Sequence, residues 1–245
     1  MTARVCALYS ARAPGLGAFA KPSVLRHRAG SSSPVKGSAL RILSWNVWWH
    51  GNARPGDVGR LIAALEPDLV LLQEATAVMD TLPQLAGGHY RRVASPERHN
   101  GPAVWSPQPF DSDEVILPLG FRLDFPVAIL RQIALRAALV IRQNGFEIAN
   151  VHLDHGQFCN RRQLHWLLNR YPALNVIMGD FNALASVRLP GFRDVGPRRS
   201  THRMYGVVPL RLDRCLVRGL IATETRAYAY GPSDHRPVCV DLVPG

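Results

Sequence analysis

Asn175-Val176-Ile177-Met178-Gly179-Asp180-Phe181-Asn182 places a short apolar, β-branched run directly before a Gly-Asp-Phe-Asn word. The run is too short for an ordinary helix and reads as a buried strand. Asp180 and Asn182 then fall at its end. The same arrangement recurs along the chain. Leu40–Leu43 lead into Ser44-Trp45-Asn46, and Leu69–Leu71 lead into Leu72-Gln73-Glu74. In the last third, Arg211-Leu212-Asp213 and Ser233-Asp234-His235 adjoin further apolar runs. Five polar tips on five strand ends point to one pocket.

Around these words, β-like and helical segments alternate from Leu40 onward. Strands are expected at Arg41–Trp48, Leu69–Gln73, His89–Ala94, Pro102–Trp105, Glu114–Leu117 and Gln132–Arg142. Asn144-Gly145 is a hairpin signal joining the last of these to Phe146–Leu153. Asn175–Met178, Arg211–Val217, Ile221–Tyr228 and Arg236–Leu242 complete the strands. Pro55-Gly56-Asp57 opens a helix through Leu65, with Val58, Leu61, Ile62 and Leu65 at helical spacing. Thr76–Leu85 is a second, shorter helix, and Gln157–Tyr171 a third with Leu164, Leu167 and Leu168 on one face. Hairpins mixed with helices predict an α/β (α+β) fold with two packed sheets and helices outside.

The chain has 245 residues, enough for one large domain plus a tail, and its 47% hydrophobic content excludes global disorder. Residues 1–39 carry six basic residues and no acid, are rich in Ala, Ser, Pro and Gly, and show no apolar period. They read as a mobile basic extension; an organellar leader is the alternative reading. The remainder carries 23 basic against 18 acidic residues, a mild surplus that suits an anionic substrate without choosing among DNA, phospholipid and small phosphate esters. Cys6, Cys159, Cys215 and Cys239 show neither pairing nor zinc spacing, and Cys215 and Cys239 read as core residues. No stretch approaches the ~20 apolar residues of a membrane span. A cytoplasmic monomer is the expectation.

The polar tips carry a coherent chemistry. A strand-end carboxylate at Glu74 is costly if buried alone and calls for a cation. Oxygen donors with few further carboxylates suit Mg²⁺ or Mn²⁺. Asn46 can bind such an ion through its amide oxygen or hold a metal-bound water through its nitrogen. Asp180 and Asn182, two apart on an extended chain, would share one face; the first can orient or deprotonate a water while the second hydrogen-bonds a phosphoryl oxygen. Gly179 would let backbone approach the ligand closely. His235, kept cationic by a nearby carboxylate, can donate to developing negative charge. Asp213 can fix His235, Asp234 can reach the metal, and His152 is a second imidazole. Arg131 can face a phosphate. His50, His89, His99, His155, His165 and His202 show no pattern and receive no role. Trp48 and Trp49 read as core or as a substrate platform.

Taken in order, Asn46, Glu74, His152, Asp180/Asn182, Asp213 and Ser233-Asp234-His235 resemble the endonuclease/exonuclease/phosphatase superfamily over residues 40–243. The resemblance implies a four-layer sandwich with the site at one edge of the two sheets. It also implies Mg²⁺ held chiefly by Glu74 with Asn46, in-line attack by a water that Asp180 activates or orients, and phosphate stabilised by His235 and His152. Val208–Arg214 is similar to compact bacterial members. The abasic endonucleases carry an acid two positions beyond the Asn, where this chain has Trp48, and their catalytic tyrosine has no clear counterpart; both points argue against that activity. The expectation is therefore a metal-dependent phosphodiesterase or nuclease. A lipid or small-molecule phosphodiesterase, and a non-catalytic binding relative, are the alternatives.

Overall fold

Period-two alternation of apolar residues decides how the layers stack. The computed structural model describes residues 39–48, 53–96, 98–118 and 135–245. The expected extension (apart from Ala39), Trp49 and Arg131 fall outside those residues. The elements are β1 (Leu40–Asn46), α1 (Pro55–Leu65), β2 (Leu69–Ala75), a 3₁₀ turn (Ala77–Thr81), α2 (Leu82–Ala86), β3 (His89–Arg92), β4 (Gly101–Ser106), β5 (Asp111–Ile116), β6 (Ala137–Gln143), β7 (Phe146–His152), α3 (Gln157–Arg170), β8 (Val176–Asp180), β9 (Arg193–Asp194), β10 (His202–Met204), β11 (Val208–Leu210), β12 (Asp213–Val217), β13 (Leu220–Ala227) and β14 (Val238–Pro244).

Among the described residues these strands form two six-stranded sheets, ordered β13-β14-β1-β2-β4-β3 and β5-β6-β7-β8-β12-β9, with β10-β11 as a separate hairpin. The pairs β1·β2 and β7·β8 are parallel, so each sheet is mixed. One face of each sheet fills a common core: Ile42, Leu69, Leu71 and Val240 of the first meet Leu139, Ile148, Val176, Met178 and Cys215 of the second. The opposite face of the first sheet, with Leu43, Val70 and Leu72, is covered by Val58, Leu61 and Leu65 of α1 and Leu82 of α2. The opposite face of the second, with Val140, Ala149 and Ile177, is covered by Leu164 and Leu167 of α3. Helix, sheet, sheet and helix make the four layers.

Local chemistry accounts for most boundaries. Pro55 begins α1 at a position that needs no donor, and the Asp57 carboxylate accepts the Arg54 N–H at 2.7 Å. Asn144 and Gly145 have φ of 52° and 79°, the two left-handed residues of a tight hairpin. β1 stops at Asn46, two residues short of the expected end, because Trp48 turns left-handed with φ 51°. The strands β9, β10 and β11 were not expected: they are two to three residues long and mostly polar or exposed, too short to show a period. Among the described residues no helix is long and apolar enough to cross a membrane.

Candidate active site

Three strand ends of the second sheet set their polar tips at one level. His152 on β7 lies opposite Asp180 on β8, and Asp180 lies opposite Asp213 on β12. Each keeps the parity of the core residues before it, Ile148, Val176 and Met178, and precedes Cys215 on β12 with the same parity. The cluster therefore begins where the apolar filling between the sheets ends. On the first sheet, Asn46 continues the inner row of Leu40 and Ile42 and lies opposite Gln73. Buried Gln73 donates to Asn150 Oδ1 of β7 at 2.8 Å, and Asn150 donates to the carbonyls of Leu72 and Ala103 at 2.9 Å. This polar bridge locks the two sheets together just below the site.

Glu74 reaches the cluster by breaking the strand. In strict alternation it would follow Leu72 onto the helix-covered face, yet Ala75 occupies that face. The β2·β4 register shifts between Leu72 and Ala75, and Glu74 has φ 57°. A left-handed non-glycine residue costs of order 1–3 kcal/mol and persists only where its surroundings hold it. Trp48 (φ 51°) and Asn182 (φ 47°) share this conformation beside the same cluster. The result is Glu74 Oε1 at 3.8 Å and Asp180 Oδ2 at 3.5 Å from one atom, His152 Nε2.

His235 is held on several sides. Its Nδ1 lies 2.8 Å from Asp213 Oδ2, and its Nε2 is 3.7 Å from Asp180 Oδ2. Its backbone carbonyl accepts from the Trp45 indole at 3.0 Å, and its N–H donates to Ser233 Oγ at 3.1 Å. The Ser233 hydroxyl in turn donates to the Asn46 carbonyl at 2.7 Å, tying the loop to β1. Burial alone would lower the imidazole pKa, but Asp213 and then Asp180 reverse this and raise it to about 10. Burial pushes Asp213 upward too, so the pair shares a proton; it sits on the ring, which faces two carboxylates. For Asp180, burial is likewise opposed: His235 and then the Asn182 and Asn46 N–H donors hold its carboxyl well below the usual range. His152 takes the opposite course. Burial first, and then the Arg136 guanidinium, keep its ring neutral.

Arg136 was invisible in the sequence. Its Nη1 lies 3.1 Å from His152 Nδ1, and a guanidinium can only donate. His152 Nδ1 is therefore the acceptor, and the ring proton sits on Nε2, facing Glu74 and Asp180. His202, given no role above, pairs with His235 by a backbone bridge and packs its ring 4.3 Å from it. No residue spacing could have flagged either one, since both act through neighbours distant in sequence.

One expectation needs correcting. β8 ends at Asp180, so Asn182 is not the i+2 residue of an extended strand; it is left-handed, and its side-chain N–H donates to the Leu153 carbonyl at 2.9 Å. Gly179 also approaches Val151 of the neighbouring strand closely, where a Cβ would meet the carbonyl oxygen at 2.1 Å. Asn46 spends its amide N–H on Asp180 at 3.0 Å, while its oxygen accepts the Trp48 N–H at 2.9 Å and keeps one lone pair.

The donor set suits a divalent cation. Burial raises the Asp234 pKa, and the nearby Glu74 and Asp180 carboxylates raise it further against the pull of His235. Three mutually repelling carboxylates call for added positive charge. Surface hollows of about 540 and 350 Å³ lie elsewhere, around Arg91 and Arg142 and around Arg198 and Tyr228, and hold none of these groups.

Acidic and imidazole groups gathered at the strand ends of a four-layer α/β sandwich suit the chemistry of phosphoester-hydrolysing enzymes, which typically use divalent metals. The sequence profile of the Endonuclease/Exonuclease/phosphatase family matches residues 43–235, and the chain belongs to that family. No curated protein sequence matches it. Its fold is similar to an endonuclease/exonuclease/phosphatase from Bacteroides vulgatus (TM-score 0.66, 16% identity, 85% of this chain and 100% of that one). It is also similar to humanized D. rerio TDP2 (0.61, 17%, 83% and 98%) and to the human Nocturnin catalytic domain (0.58, 19%, 88% and 100%).

Proposed function

We propose that residues 40–245 form a divalent-metal-dependent phosphodiesterase that cleaves by in-line attack of water, with nucleic acid as the favoured substrate class. The observation that carries this reading is the meeting of Glu74 and Asp180 within 4 Å of His152 Nε2, with His235 against Asp180. Glu74, with Asn46 and Asp234, would hold Mg²⁺ or Mn²⁺. Such an ion, when bound, neutralises phosphoryl charge and polarises the ester.

The chain's own groups do the rest. Asp180 stays ionised at neutral pH and accepts a hydrogen bond from the attacking water, orienting it. His235, cationic and steered by Asp213, donates from Nε2 to the phosphoryl oxygen where charge develops. Neutral His152 offers a second Nε2–H from the opposite side. Asn182 supports Asp180 through its backbone N–H at 3.0 Å. The human Nocturnin catalytic domain holds a sulfate anion, a tetrahedral oxyanion of the same shape as a phosphoryl group. The mild basic surplus of residues 40–245 fits an anionic polymer.

Replacing Glu74 by Gln keeps the shape of the side chain and removes its charge. Mg²⁺-dependent hydrolysis of a generic diester and of plasmid and single-stranded DNA should fall by about 10²–10³-fold or more, with an unchanged unfolding temperature. Full activity in that variant would refute the assignment. A lipid phosphodiesterase is the second reading. It is favoured by the hairpin beside His235, whose Met204, Tyr205, Val207 and Val208 are all exposed. Hydrolysis of sphingomyelin vesicles in preference to DNA would select it.

A further inference from the structure

We propose that His202, Asp234 and His235 form a second, nitrogen-rich metal site that takes a borderline transition ion of the Zn²⁺ class and switches the enzyme off. One ligand atom from each of the three residues lies within 4.8 Å of the others. His202 Nδ1 is buried and makes no hydrogen bond. It stands 3.7 Å from Asp234 Oδ2, too far for a hydrogen bond. That separation is close to the ~3.4 Å that two ligands about 2.0–2.1 Å from a tetrahedral ion show. A buried imidazole nitrogen that stops short of a carboxylate in this way is a ligand pair with its centre left open.

The backbone already fixes the third arm. His202 and His235 face each other across a bridge, the Arg203 N–H donates to the Asp234 carbonyl at 2.9 Å, and the Arg236 N–H donates to the Thr201 carbonyl at 2.7 Å. The two rings therefore cannot drift apart. His235 Nδ1 is engaged by Asp213 at 2.8 Å, which leaves Nε2 as its ligating atom. A carboxylate behind a ligating imidazole is the usual second support of a histidine metal ligand, since it fixes the ring and raises its basicity.

Two imidazoles and one carboxylate select against Mg²⁺, which prefers oxygen donors and retains its waters, and favour Zn²⁺, Co²⁺ or Cu²⁺. The ion would take the place of the proton on His235 Nε2 and engage Asp234. Both groups are needed for the hydrolysis proposed above, and on that reading the inhibition rests. The binding itself does not.

Binding is therefore measured without substrate, on the full-length Glu74→Gln protein, by titration with Zn²⁺ and by the visible ligand-field bands of Co²⁺. One ion per chain with a low-symmetry Co²⁺ spectrum is expected. Adding His202→Phe, which keeps a ring against His235, should weaken Zn²⁺ more than about 100-fold and abolish the Co²⁺ bands. His202→Asn serves as a second variant, and thermal unfolding confirms that each is folded. Unchanged Zn²⁺ affinity and Co²⁺ spectrum in both folded His202 variants would overturn the site, as would a Glu74→Gln protein that binds no Zn²⁺. On wild-type enzyme, micromolar Zn²⁺ should suppress Mg²⁺-dependent hydrolysis. If the protein binds Zn²⁺ as described but hydrolyses no diester, the metal site stands and only the hydrolytic reading fails.

Discussion

Asp213→Asn tests the electrostatic heart of the site. The substitution is nearly isosteric and both partners are buried, so solvent screens little of the effect. In the native protein the His235 pKa stands at about 10 against an ordinary 6.5, with burial opposed by Asp213 and then by Asp180. That difference amounts to roughly 5 kcal/mol of preference for the charged ring. Asp213 is the larger raising influence and the one hydrogen-bonded to the ring, at 2.8 Å. Its loss should bring the alkaline limb of the kcat/KM profile down by roughly one to three pH units, the usual effect of one adjacent opposite charge. It should also release the ring from its orientation, lowering kcat by about 10²–10⁴-fold at neutral pH. Stability carries the same signature. A raised imidazole pKa stabilises the fold fully below pH 6.5, and that contribution is lost as pH rises towards about 10. Tm of the native protein should therefore decline over this window, and the Asp213→Asn protein should decline less. Diester hydrolysis at constant ionic strength, together with thermal unfolding from pH 6 to 10, reads both. An unshifted alkaline limb with native kcat would show that Asp213 does not govern His235.

Other outcomes follow from single contacts. Gly179→Ala drives a Cβ to 2.1 Å from the Val151 carbonyl at φ 142°; a loss of roughly 3 kcal/mol or more, seen as about a 6–12 °C fall in Tm, is expected, and a fall under 2 °C would contradict the close packing of β7 on β8. Arg136→Met removes the donor that fixes His152 while keeping a side chain of similar length, so ¹⁵N NMR should show the ring proton leaving Nε2 for a mixed tautomer, with kcat down by about 10–100-fold; an unchanged ring spectrum would disprove the tautomer assignment. Trp45→Phe deletes the indole donor to the His235 carbonyl while keeping the ring in the core, and should cost about 1–2 kcal/mol in chemical denaturation; an unchanged denaturation midpoint would count against that bond.

Much of the architecture was written in local pattern. Pro55 and Asp57 open α1 where expected, Asn144-Gly145 turns β6 into β7, and short apolar runs mark β1, β2, β7 and β8 as strands. Polar tips at strand ends are legible for the same reason: a charge that follows a buried run cannot stay in the core, so it marks an edge. Local pattern carries no information about partners far along the chain. Arg136 meets His152, and His202 meets His235, only because β6 packs beside β7 and because a three-residue strand pairs with the β13–β14 loop. Glu74 turns into the site by a left-handed break that no propensity favours, and Asn182 leaves the strand its spacing suggested. Alternation and turn chemistry act between neighbours and can be read from a string. Tautomer, charge state and an open pair of ligands depend on distances set by packing, and only the folded chain fixes those.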